Sequence, residues 1–307
     1  MDSPAPTAID SPRKRRASKP ALPPRIAVTA LILQPLPRWI TARTVERSGV
    51  GNDPVPPAFA DGAALFALDQ IIRANPPWLG ALRLRQALKA AAACARILRL
   101  NADEAALRDT EYLTRPGDDP GPVGRLYRLW RAFAARPVRL AIETIDAAAK
   151  EAGPEDAGRE IIALMLSDLD LAAALGWPIP VPLTATVIFD PALRGTGGAP
   201  RQRAGGTEWR KARQAVLGLA AVKAHAEAVT LQRRAAVLIA AAGRLRTRAA
   251  ELGLTIILAD DAVAPWRMAG QGGFGSDRAA RRFCERLRET GALRLLTDRP
   301  TFRLYGL

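Results

Sequence analysis

Residues 276–307 read SDRAARRFCERLRETGALRLLTDRPTFRLYGL. Ser276 follows Gly275 and is a good helix N-cap, because its hydroxyl can accept from a free N–H of the first turn. From Asp277 to Thr290, Ala280, Phe283, Cys284 and Leu287 recur at helical spacing. Arg278, Arg281, Arg282, Glu285 and Arg288 fall on the other side and its flanks. Gly291 then stands where a left-handed residue commonly ends a helix. Leu293 and Leu295 alternate with Arg294, as in a half-buried strand. Thr297-Asp298-Arg299-Pro300 is a turn, and Phe302 and Leu304 alternate with Thr301, Arg303 and Tyr305 in a second strand. Helix, glycine, strand, tight basic turn, strand is the order of the recognition helix and wing of a winged helix-turn-helix.

That order carries an expectation of chemistry. An α-helix fits the major groove of B-DNA, where each base pair shows a distinct donor and acceptor pattern. The planar fork of Arg suits guanine edges and phosphates better than Lys does, and a helix N-terminus favours phosphate. Double-stranded DNA is therefore the expected partner. The residues expected to touch it are Ser276, Arg278, Arg281, Arg282, Arg288, Arg299 and Arg303. Upstream, Asp260 to Trp266 reads as the short preceding helix and Gln271 to Gly275 as the turn, which is longer than the 3–4 residues of a compact motif. A winged helix can also serve as a protein–protein module, and that reading stands beside the first.

The charge map agrees with a polyanionic partner. The 307 residues carry a net charge of +15, and the basic side chains are nearly all Arg. Residues 1–60 are at +5, residues 61–200 at −1 and residues 201–307 at +11. Coding bias can inflate the Arg total but does not place the excess in the last third. Apolar residues make up 49% and are mostly Ala and Leu, while aromatics are only 5%. Strong helix formers with few β-branched or aromatic runs make a mainly α protein the expectation. Cys94 and Cys284 lack CxxC partners, so no disulfide framework or cysteine metal site is expected. No stretch approaches the roughly 20 apolar residues of a membrane span, and a cytoplasmic setting fits.

Residues 1–24, with the run Arg13-Lys14-Arg15-Arg16, read as a disordered basic tail. Residues 25–190 read as a helical domain. Its helices are expected from Pro57 to Pro76, from Trp78 to Leu100, from an Asn101 or Asp103 cap to about Arg115, and around Leu126 to Phe133. Two more run from about Leu140 to Glu151 and from Asp156 to Leu175. Leu183 to Phe189 fits a short strand or a helix. Residues 191–206 hold five Gly and two Pro and read as a linker. Residues 207–307 then form one long helix or a helical hairpin, with Gly243 as its break, followed by the winged unit. The helical domain is expected to dimerise, bind a ligand or recruit a protein partner.

Asn75-Pro76-Pro77-Trp78, the stretch from Asp103 through Arg108-Asp109 and Glu111 to Gly117-Asp118-Asp119-Pro120-Gly121-Pro122, Leu126 to Trp130 and the run from Ser276 to Leu307 resemble the bacterial Domain of Unknown Function 1403 family. The likeness covers most of the chain after the basic tail. The resemblance implies a bacterial origin and a two-part layout and names no reaction. The closing residues 297–307 are also similar to the ending of other bacterial helix-turn-helix proteins.

A catalytic reading has less to stand on. His225 is the only His and sits mid-helix among Ala and Val, as a surface or interface residue would. No P-loop, GxGxxG, GxSxG or HExxH occurs, and Cys284 has no nearby His to activate it. No cofactor is expected. The carboxylates Asp103, Glu104, Asp109, Glu111, Asp118 and Asp119 define the alternative, a Mg²⁺-dependent nuclease with Asp118 and Asp119 as metal ligands. Against it, Asp103 and Glu104 suit a helix start, and Asp118 and Asp119 suit a turn. An interaction scaffold is the third reading.

Overall fold

Proline and small polar residues set the ends of most helices in this chain. The computed structural model describes residues 32–41, 56–115, 117–152, 156–193, 201, 203–245, 248–270, 274–299 and 302–307. The expected basic tail, most of the 191–206 linker, Gln271 to Gly273 and Pro300-Thr301 lie outside them. α1 (Arg38–Thr41) is a single turn. α2 (Pro57–Ala74) starts on a proline, whose fixed φ suits the first turn, and ends at Asn75 in the left-handed region with φ 44°. α3 (Leu79–Ile97) follows directly. α4 (Glu104–Leu113) is capped by Asp103, whose side chain accepts from the Ala106 N–H at 2.8 Å. α5 (Gly121–Ala135), α6 (Val138–Ala152) and α7 (Asp156–Leu175) lie close to their expected bounds.

Leu183 to Phe189 resolves as helix, with α8 (Thr184–Val187) and then a 3-10 turn over Pro191–Leu193. Asp168 decides this. Its two oxygens accept from the Leu183 and Thr184 N–H groups at 2.9 and 3.0 Å, and so satisfy donors at the start of the turn. α9 (Trp209–Gly243) is one unbroken helix of 35 residues, about 52 Å long. Gly243 is its last residue, and α10 (Arg248–Ala259) is a separate helix.

α9 runs against α2, and its buried residues include Ala220, Ala221, Ala224, Ala228, Ala235 and Ala242. Trp130, Tyr127, Phe133, Leu68, Leu82 and Leu164 are fully buried between the helices. The larger hydrophobic core runs from Ile40 to Leu307 and draws on both sides of residues 191–206; Tyr112, Ala262, Ala264 and Leu304 form a smaller second cluster. Among the described residues, no helix is long and apolar enough to cross a membrane.

The C-terminal elements are α11 (Pro265–Gly270), α12 (Asp277–Glu289), β1 (Arg294–Arg299) and β2 (Phe302–Gly306). β1 and β2 pair antiparallel, with Arg294 opposite Gly306 and Arg299 opposite Phe302. The register shifts between Leu295 and Thr297, so Leu296 is an extra, bulged residue. Leu296 then lies over Gly306, where a Cβ would stand 2.7 Å from the Asp261 carbonyl and 2.8 Å from Leu296 Cδ1.

The stretch Asp260 to Trp266, expected as a helix, is extended up to Ala264. Val263 forms an antiparallel bridge with Tyr305, its N–H and C=O both bonded to that residue at 2.8 and 3.0 Å. Helix α11 begins only at Pro265. The backbone of 260–264 is committed elsewhere, since Ala262 C=O accepts the Tyr112 hydroxyl.

Candidate nucleic-acid interface

α12 is held from one side only. Ala280, Phe283, Cys284 and Leu287 are buried. The Phe283 ring lies 5.1 Å from that of Phe274, and a Cβ on Gly253 of α10 would stand 2.4 Å from the Phe283 ring. Cys284 Sγ is 3.6 Å from Met268 Sδ of α11. Ser276 caps the helix by accepting from the Ala279 N–H at 3.2 Å, and Gly291 takes φ 72° after it. Both end signals read from the sequence do the expected local work.

The opposite face carries Arg278, Arg281, Arg282, Arg286 and Arg288, all exposed. They are not equivalent. Arg281 bonds Asp277 at 3.1 Å, and Arg288 bonds Glu285 at 2.7 Å. Arg278, Arg282 and Arg286 recur every four residues along one stripe and have no carboxylate partner among the described residues. The sequence reading left Arg286 out. The spacing of four from Arg282 was the signal that would have found it.

Two hairpin arginines, Arg299 and Arg303, are engaged with the protein. Arg303 and the Tyr305 hydroxyl both donate to Glu285, the hydroxyl at 2.5 Å. Arg299 pairs with Asp109 of α4 at 2.6 Å. Glu285 therefore clasps β2 to α12. The Tyr305 and Arg288 hydrogen bonds outweigh its partial burial and hold its carboxyl at about 2. A carboxylate lowered in this way stabilises the fold above the ordinary Glu range, and that contribution is lost as pH falls towards 2. Glu285→Gln is expected to speed hydrogen exchange at β2 amides while leaving those of α9 unchanged. Unaltered β2 exchange would remove the clasp from the account.

Behind this unit lies a set of buried charges that the sequence reading did not single out. Asp261 is fully buried and accepts Arg85 Nε at 2.8 Å and Arg108 Nε at 2.7 Å. Arg85 also reaches Glu227 and the Leu307 carbonyl. Arg131 of α5 grips Asp260 with two bonds at 3.0 and 2.7 Å. Arg267 of α11 bonds Glu111, which also holds Arg128. α3, α4 and α5 thus grip the segment that leads into α11.

The six carboxylates of the nuclease reading are spread over different tasks. Asp103 caps α4, Asp109 holds Arg299, and Glu111 holds Arg128 and Arg267. Asp119 accepts Arg125 and the Gly121 N–H, which ties the turn to α5. Glu104 and Asp118 stand in the same α4–α5 region, and Asp118 is exposed. Among the described residues, no three His, Cys, Asp or Glu side chains are grouped to hold a metal ion. His225 is buried, and desolvation keeps its imidazole below the usual range. Burial pushes the Cys284 thiol up to about 12, so it stays protonated and inert at neutral pH.

A cleft of about 620 Å³ lies between α5, α6 and α7, a size that suits a small molecule. Two of its arginines, Arg125 and Arg128, are already taken by Asp119 and Glu111. On the exposed face of α12, by contrast, Arg278, Arg282 and Arg286 have no carboxylate partner among the described residues.

Fold and surface together define a mainly helical protein that ends in a small helix–helix–hairpin unit with an arginine-lined outer helix. The chain belongs to the family described as Protein of unknown function (DUF1403), whose model matches residues 28–150 and 144–307. No curated protein and no solved structure matches it.

Proposed function

We propose that the protein binds double-stranded DNA through a winged helix formed by α10, the Val263 bridge, α11, α12, β1 and β2. The order helix, bridge strand, helix, turn, helix, hairpin supports this, as does the pairing of the bridge with the last strand. The observation that carries the reading is the uncommitted stripe Arg278, Arg282 and Arg286 on the solvent face of a helix whose other face is buried. Guanidinium groups at such a spacing reach along a groove, bridging guanine edges or phosphates. Arg281, Arg288, Arg299 and Arg303 must exchange a protein carboxylate for a phosphate before they contribute, so their individual effects are smaller. Ser276 contributes by keeping the helix N-terminus formed.

Duplex binding followed by fluorescence anisotropy is expected to weaken as salt rises, with a log–log slope of about −0.9 per phosphate contact. Arg278→Ala, Arg282→Ala and Arg286→Ala are each expected to lower affinity roughly tenfold, and Arg303→Ala by less. Equal binding by the triple variant and the parent chain would overturn the proposal.

A further inference from the structure

Helix α2 is patterned against the usual rule. Asp61 and Asp69 face inward at 6% and 8% exposure, while Phe59 and Phe66 face outward at 65% each. Gly62 and Gln70 complete the outward stripe, with Ala63 half-buried beside it. Asp69 is met by the Trp177 indole and Arg73, while a phenyl ring left in water forgoes the free energy of burial. The exposed rings gain from an apolar partner on that face. Trp39 of α1 widens the patch, exposed at 44% with its ring 5.9 Å from that of Phe59.

We propose that this face is the contact surface between two copies of the chain, joined as an antiparallel pair of α2 helices about a two-fold axis. The spacing points to a second copy. Phe59 and Phe66 are seven residues apart, about 10 Å along the helix, and the midpoint falls between Gly62 and Ala63. A two-fold at that midpoint sets Phe59 of each copy against Phe66 of the other, as an isologous interface requires. The small pair lies at the crossing, where a Cβ on Gly62 would meet nothing within 4 Å of its own chain, so the helices can approach closely.

Charge and area agree. A chain at +15 repels its own copy, so self-contact needs a face without cations. The outward stripe from Phe59 to Gln70 carries none; Arg73, the next position along it, is paired with Asp69, and Arg38 stands at the margin beside Trp39. Trp39, Phe59 and Phe66 leave roughly 350 Å² of aromatic surface in water per copy. Two copies supply roughly 700 Å², close to half of a standard interface before any flanking residue is counted. The proposal is independent of the DNA reading. If both hold, the dimer carries two arginine-lined helices.

The test is sedimentation velocity on the full chain without DNA at micromolar concentration. The parent chain is expected to sediment with the mass of two chains. Phe59→Glu combined with Phe66→Glu should weaken the dimer roughly 100-fold or more, with helix content by circular dichroism unchanged because both rings are exposed. Phe66→Leu should keep it. Gly62→Cys should give a covalent dimer on mild oxidation, since it stands beside the two-fold. A monomeric parent chain, or a dimer that survives the double glutamate variant, would overturn the proposal.

Discussion

Asp261→Ala is expected to lower stability by about 3–5 kcal/mol, because it strips two buried guanidinium groups of their shared counter-charge. Asp261 is fully buried, and its partners Arg85 and Arg108 are only 11% and 14% exposed. Once the carboxylate is gone, Arg85 retains Glu227 and the Leu307 carbonyl. The Nε–H of Arg108 is left facing an empty site. Chemical denaturation should show the loss, and a change under about 1 kcal/mol would contradict it.

The same residue sets an acid limit. Burial by itself would raise the Asp261 carboxyl, but the hydrogen bonds and charges of Arg108 and Arg85 more than offset that and hold it below the ordinary range. A lowered carboxylate contributes its full stabilisation above the usual Asp value of about 3.9. The contribution is lost as pH falls from there through the folded-state value. Stability should therefore fall below about pH 4, and Asp261→Ala should lose most of that particular dependence.

Phe283→Ala is the second large effect, expected at about 3 kcal/mol. The ring is 8% exposed and fills the space between Phe274 and Gly253. Its removal opens a cavity under α12 and leaves the arginine stripe without a fixed base. Gly253→Leu should fail from the opposite direction, since even its Cβ would overlap the Phe283 ring. Thermal unfolding reads both. In the same preparations, Phe283→Ala should weaken duplex binding although it removes no charge. A stable, well-folded Phe283→Ala protein would mean that α10 and α12 do not depend on this contact.

Much of the fold was readable from short-range chemistry. α7 was expected and found at Asp156 to Leu175, and α12 between its Ser276 cap and Gly291. Caps, turn residues and helical spacing act within about four residues, so neighbouring side chains already contain the answer. The reading failed where the backbone was claimed by distant groups. Asp260 to Ala264 has apolar residues that could continue a helix, but Tyr112, Arg85, Arg108, Arg131 and Tyr305 pull it into an extended bridge. None of those partners is close in sequence; Arg85 and Asp261 are 176 positions apart.

The candidate interface divides in the same way. Residues 276–307 by themselves determined a helix with one apolar face, a glycine stop and two strands, because those follow from local propensity and periodicity. Which arginines are uncommitted was decided only by tertiary structure. Glu285 takes Arg288 and Arg303, Asp109 takes Arg299, and Arg278, Arg282 and Arg286 are left on the stripe. The exposed phenylalanines of α2 lie away from Asp69, which accepts from the Trp177 indole across the fold and from Arg73 one turn along. Periodicity locates an amphipathic face; the groups that meet across the folded chain decide which face is covered.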